Sequence, residues 1–127
     1  MPHFTVQICE EALDTEVERG LIKALTGTIG AVFGARAQAL VPVVELVGIP
    51  GRRWGVGGEP TAGGTPAPVV TLGLRERALS LPDAPAQLIG AITDAVAGVL
   101  GTSVRARTTV VLAGVPAGRS GVGGEVV

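Results

Sequence analysis

Gly55-Val56-Gly57-Gly58-Glu59 returns without a change as Gly121-Val122-Gly123-Gly124-Glu125, 66 residues further along the chain. Carried toward the amino terminus, the same offset pairs Pro2 with Pro68, Thr5 with Thr71, Glu10 with Glu76, Ala12-Leu13 with Ala78-Leu79 and Pro50 with Pro116. In the middle the best match moves by one residue: Leu21-Ile22, Ala24, Thr26, Val32 and Gly34 meet Leu88-Ile89, Ala91, Thr93, Val99 and Gly101. The chain is a tandem duplication of one unit, covering residues 2–61 and 68–127, and such a repeat outweighs any single motif as a guide to the fold. The segment between the copies is rich in glycine and proline and reads as a linker.

Each unit reads as strand, helix, strand and turn. Phe4, Val6 and Ile8 alternate with His3, Thr5 and Gln7, the period of two of a half-buried strand. Thr15 and Glu18 then have the spacing of a capping box, and Val17, Leu21, Leu25, Ile29 and Val32 recur at helical intervals as far as Gly34. In the second unit Ser80 is the expected cap, with Pro82 tolerated in the first turn. The valine-rich run Leu40 to Val47 supplies the second strand. Two strands joined through one crossover helix are parallel and right-handed, a βαβ unit. The repeated Gly-Val-Gly-Gly follows a strand and opens no helix, so it is a turn needing positive backbone torsions and not a phosphate cradle.

The chain has 127 residues, 46% of them hydrophobic, which suits one domain with its own core. A net charge of −1 gives no general attraction to nucleic acid or anionic membrane. One cysteine and one histidine make no metal cluster of the usual spacing, and Cys9 reads as a structural thiol. No apolar run suffices to span a bilayer and the amino terminus lacks a secretory pattern, so the cytoplasm is the expected location.

A proline directly after Met1, βαβ units of about sixty residues, and the closing Pro50-x-x-x-Trp54-Gly55-Val56-Gly57-Gly58-Glu59 together resemble the tautomerase superfamily, in its 4-oxalocrotonate tautomerase branch, with two units fused. The resemblance implies an α/β (α+β) fold of the tautomerase/MIF-like kind. Its two first strands lie antiparallel at the centre of a four-stranded sheet, both helices cover one face, and three chains form a homotrimer. No cofactor and no metal are implied. The substrate class is a small-molecule carboxylate.

Removal of Met1 would leave Pro2 with a secondary amine, which titrates near ~8 in water and loses its proton more easily in an apolar pocket or beside a cation. Pro68 is internal and has no ionisable nitrogen. With the first strands antiparallel, Pro2 falls beside Leu74-Arg75-Glu76-Arg77, whose counterparts Cys9 and Glu11 stand where the second unit has its two arginines. Arg75 and Arg77 are therefore the candidate carboxylate clamp; solvated charges paired with Glu76 or Glu11 are the competing reading. Trp54 holds the place of an aromatic site residue in the resembling enzymes. A family arginine is expected near the start of the second strand, where this chain has Val43 and Thr109. Arg107, with Arg105, shares the face of Thr109 and is the candidate to replace it.

The implied reaction is enol–keto or double-bond isomerisation of a 2-keto mono- or dicarboxylic acid, with Pro2 as general base. Decarboxylation remains open, because the Arg75-x-Arg77 spacing is similar to that of malonate semialdehyde decarboxylase; against it, the aspartate of such enzymes falls near Ala39 here. Dehalogenase or hydratase chemistry would use the same proline. A non-catalytic trimeric binding protein in which Met1 is retained is the contrasting expectation.

Overall fold

The computed structural model describes residues 1–61 and 63–127; Ala62, inside the expected linker, lies outside the described residues. The first unit contains β1 (His3–Cys9), α1 (Thr15–Phe33), β2 (Val43–Ile49) and a small hairpin of β3 (Gly55–Val56) and β4 (Glu59–Pro60). The second contains β5 (Val69–Arg75), a single turn α2 (Glu76–Leu79), α3 (Ala84–Leu100), β6 (Thr109–Val115) and a hairpin of β7 (Gly121–Val122) and β8 (Glu125–Val126). The two hairpins carry the repeated pentapeptide. Their central glycines have φ of 61° and 90° at Gly57 and Gly58, and 60° and 86° at Gly123 and Gly124, the left-handed pair that a tight two-residue hairpin turn requires.

The four long strands form one sheet in the order β2-β1-β5-β6. β1 with β2 and β5 with β6 are parallel, while β1 and β5 run antiparallel with Phe4 opposite Leu72, Thr5 opposite Thr71 and Val6 opposite Val70. Thr5 and Thr71 are also equivalent by the internal repeat. The pseudo-twofold axis relating the units therefore passes through that pair.

Alternation along the strands sends Phe4, Val6, Ile8, Val70, Leu72 and Leu74 to one face, where they meet Leu21, Leu25 and Ile29 of α1 and Leu88, Ile92 and Val96 of α3 in a single core. Each fully buried leucine or isoleucine there contributes roughly 1.5–3 kcal/mol relative to an exposed one. Both helices lie on this face. On the opposite face the odd-numbered positions remain open, with Val43, Val47 and Val111 exposed by 45%, 39% and 46%.

The helix starts differ from expectation. α1 is capped by Asp14, whose carboxylate accepts from the Val17 backbone N–H at 2.8 Å, so Thr15 is the first helical residue. Ser80 ends α2, and α3 begins only at Ala84, behind Asp83 at φ 62° and without a side-chain cap. Pro82 disfavours helical torsions at Leu81, which separates the two helices. Both long helices stop where expected, at Gly34 and Gly101 with φ of 60° and 107°.

Candidate active site

Topology decides which residues meet Pro2. Because β1 and β2 are parallel, α1 must return the chain to the beginning of β1, so Phe33 and the turn Gly34–Ala37 come to that pole of the sheet. Because β5 is antiparallel to β1, its last residues and the start of α2 arrive at the same pole. One step beyond the His3–Gly73 pair, Pro2 falls opposite Leu74. Its carbonyl accepts from Val43 N–H at 3.1 Å, anchoring it to β2.

These segments enclose a cavity of about 410 Å³ lined by Met1, Pro2 and Leu74, by the arginines Arg36, Arg75 and Arg77, and by Phe33, Leu40, Ala78 and Leu81. Pro2 is buried at its edge, Arg75 is half-buried, and Arg36 and Arg77 are exposed. The ion pairs found among the described residues are His3 with Glu45 and Arg105 with Asp94; none involves the cavity arginines. Their guanidinium protons are thus available to an anion, and the apolar walls strengthen any charge-assisted hydrogen bond made there.

The opposite pole has the same backbone and different chemistry. Pro68 is buried and its carbonyl accepts from Thr109 N–H at 3.0 Å, repeating the Pro2–Val43 bond. Cys9 and Glu11 stand where the first pole has Arg75 and Arg77. The Glu11 carboxylate accepts from the Gly51 backbone N–H at 2.9 Å. That bond, aided by one from its own N–H, holds it below the usual carboxylate range. Burial, and then the charge of Glu11, push the Cys9 thiol up and so disfavour a thiolate. No cationic clamp is formed here from the first strand.

Glu11 has a folded pKa below its unfolded one, so the stability it contributes is complete above the ordinary carboxylate range and disappears as pH falls through the depressed value. Glu11→Gln is expected to lower stability at neutral pH and to match the parent once pH is below that value. Urea unfolding across an acid pH series checks this; parallel curves at every pH would refute it.

Of the residues singled out from sequence, Pro2, Arg75 and Arg77 line one cavity. Trp54 and Arg107 are not among its lining residues. Trp54 is half-buried beyond the end of β2, and Arg107 is exposed at the end of the turn Thr102–Arg107 that leads into β6. Both belong to the Pro68 pole, about 20 Å from Pro2 by the rise along a strand of roughly 3.3 Å per residue. Arg36 is the cavity cation that no sequence motif points to, since the family arginine aligns with Val43, seven residues later. The signal for it is the βαβ topology itself, which brings any cation between α1 and β2 back to Pro2.

Residues 68–127 match the family model described as tautomerase enzyme. No curated protein matches the chain by sequence. Among solved structures, native fused 4-OT is 25% identical with a TM-score of 0.80, over 98% of this chain and 95% of that one. Another wild-type fused 4-OT, an asymmetric trimer, gives 25% identity and a TM-score of 0.81, again over 98% and 95%. Pt0534 inactivated by 2-oxo-3-pentynoate shares the fold at 20% identity and a TM-score of 0.81, over 98% of this chain and 95% of that one.

Proposed function

Because this chain is a fused tautomerase-superfamily protein, we propose that it is a cofactor-independent tautomerase in which Pro2, freed by removal of Met1, is the general base. The observation that carries this reading is the meeting, in one cavity, of the single proline able to present a free amine with Arg75 and Arg77 from the other unit. The lone pair on the Pro2 nitrogen takes a proton from an enol hydroxyl, or from the carbon between the carbonyl and a β,γ double bond. The electrons move through the conjugated system and the dienolate oxygen holds the negative charge. The resulting ammonium returns the proton at the conjugated carbon, giving the α,β-unsaturated or keto isomer. Arg75 and Arg77 hold the substrate carboxylate and stabilise the charge that develops beside it. The same guanidiniums disfavour a further positive charge on the amine and so keep it unprotonated.

We extend to this chain the trimeric state of its solved relatives. The open face of the sheet, with its exposed valines, supplies apolar surface for packing against other chains. In such a trimer Trp54 and Arg107 act on the Pro2 cavity of a neighbouring chain, Trp54 as an apolar wall and Arg107 as a further cation.

Intact-mass measurement is expected to show a chain without Met1, and that chain is expected to ketonise the enol of phenylpyruvate and isomerise 2-hydroxymuconate. 2-Oxo-3-pentynoate, an alkyne conjugated to a ketone, is expected to add to the Pro2 nitrogen and to label the amino-terminal peptide. Retention of Met1 in the purified protein, or labelling anywhere but that peptide, counts against amine catalysis. Release of carbon dioxide from malonate semialdehyde without ketonisation would move the assignment to decarboxylation.

A further inference from the structure

Residues 11 and 77 hold the same place in the two units and carry opposite chemistry. Arg77 lines the Pro2 cavity. At the other pole the Glu11 carboxylate accepts from the backbone N–H of Gly51, which opens the tight turn Gly51–Arg53 after β2. Gly51 is buried, and a buried peptide N–H needs an acceptor. Its counterpart Ala117 is exposed, so water can serve the N–H there, and Arg77, with donors alone, could not.

The returning chain is what covers Gly51. The Thr61 carbonyl oxygen lies 2.8 Å from the position a Cβ would take at Gly51, closer than a side-chain carbon can approach, so glycine alone fits the turn as it stands. Trp54 is fastened to both sides of this contact. Its N–H donates to the Gly51 carbonyl at 3.1 Å, and its own carbonyl accepts from the Thr61 N–H at 2.7 Å. Gly51 is thus bonded to Glu11 through its N–H and to Trp54 through its carbonyl. The low proton affinity of Glu11 has the same origin, since the Gly51 bond is its largest cause.

We infer that Glu11 is a positioning residue: it fixes the Gly51–Arg53 turn and thereby the orientation in which Trp54 is presented to the site it walls. This role rests on the reading of Trp54 as a wall of a neighbouring chain's Pro2 cavity, although the bonds from Glu11 to Trp54 lie within one chain. It also accounts for the missing clamp at this pole. The repeat position that gives a guanidinium to one cavity serves here to hold the aromatic wall of another.

Trp54 is the only tryptophan, so its fluorescence reports the turn directly. Glu11→Ala is expected to shift the emission to the red, to increase quenching by acrylamide, and to speed hydrogen exchange at the Gly51 amide by about tenfold or more. Glu11→Gln keeps an acceptor oxygen and should fall between Glu11→Ala and the parent. Glu10→Gln makes the same charge change one residue away and should leave Trp54 unmoved. Gly51→Ala, which drives a Cβ against the Thr61 carbonyl, should move Trp54 with Glu11 intact. For phenylpyruvate enol, Glu11→Ala is expected to lower kcat/KM about tenfold, as a wall out of place would. Trp54→Ala should lose about as much, and the double variant no more than either. Mixing Glu11→Ala chains with Pro2→Ala chains should raise activity above the mean of the two, because some cavities then pair an intact Pro2 with a fixed Trp54. Unchanged Trp54 fluorescence and Gly51 exchange in Glu11→Ala, or an equal response to Glu10→Gln, overturn the inference. A displaced Trp54 with no gain on mixing leaves Glu11 as its positioning residue and sinks the placement of Trp54 in a neighbour's cavity.

Discussion

Pro2→Ala is expected to lower the rate of enol–keto conversion by about 10²-fold and to leave the fold unchanged. A positioned general base contributes roughly 10²–10⁴ in rate. Alanine at position 2 still presents an α-amino group once Met1 is removed, so the loss falls at the lower end. A chain that keeps Met1 has its position-2 nitrogen in an amide, and it is expected to lose the whole of that range. Structural failure can be told apart from chemical failure here. The β1–β5 register begins at His3, and the bond that ties residue 2 to β2 uses its backbone carbonyl, which alanine retains. Melting temperature and circular dichroism should therefore follow the parent while ketonisation of phenylpyruvate enol falls. Full activity in the Met1-retaining chain would end the case for amine catalysis.

What is legible in the sequence and what is not divides along physical lines. The antiparallel pairing of the two first strands is implied by the family resemblance, and it is enough to bring Pro2 to the Leu74–Arg77 end of β5. The register itself, Thr5 against Thr71, is a finding of the structure, because any shift of two residues keeps both hydrophobic sets on one face. Local signals are less decisive. Asp14 and Thr15 are both competent caps, and the carboxylate one residue earlier is the one that reaches the Val17 N–H. Alternation puts Arg107 on the face of Thr109, yet the strand starts at Thr109 and Arg107 closes a tight turn at the other pole. Arg36 lies where the two copies slip by one residue, and its counterpart in either register, Thr102 or Ser103, is uncharged, so repeat comparison does not point to a cation there. Its place depends on where α1 stops and how the following turn folds back, and Gly34 at φ 60° is what ends the helix there.

Arg75→Ala is expected to reduce kcat/KM by about 10²–10³, more than Arg77→Ala, and the difference follows from their surroundings. Removing one preorganised donor to a developing oxyanion costs about 10²–10³ in rate where water is excluded. Arg75 closes β5 half-buried, next to Leu74, which lies opposite Pro2, whereas Arg77 is exposed on α2. An exposed guanidinium is screened by salt and by water, so Arg77→Ala should act chiefly on KM and lose much of its effect at high ionic strength. Arg75→Ala should lower kcat as well, because in the proposed reaction the same group faces the charge that develops only in the transition state. Arg75→Lys keeps the charge without the planar fork and should recover part of the loss. If Pro2 and Arg75 act on one substrate at once, their effects cannot add: the double variant should lose far less than the product of the single losses. Strict multiplicativity, or a loss at Arg75→Ala of less than about threefold, would mean that the arginine pair is surface charge and that the cavity binds its substrate by other means.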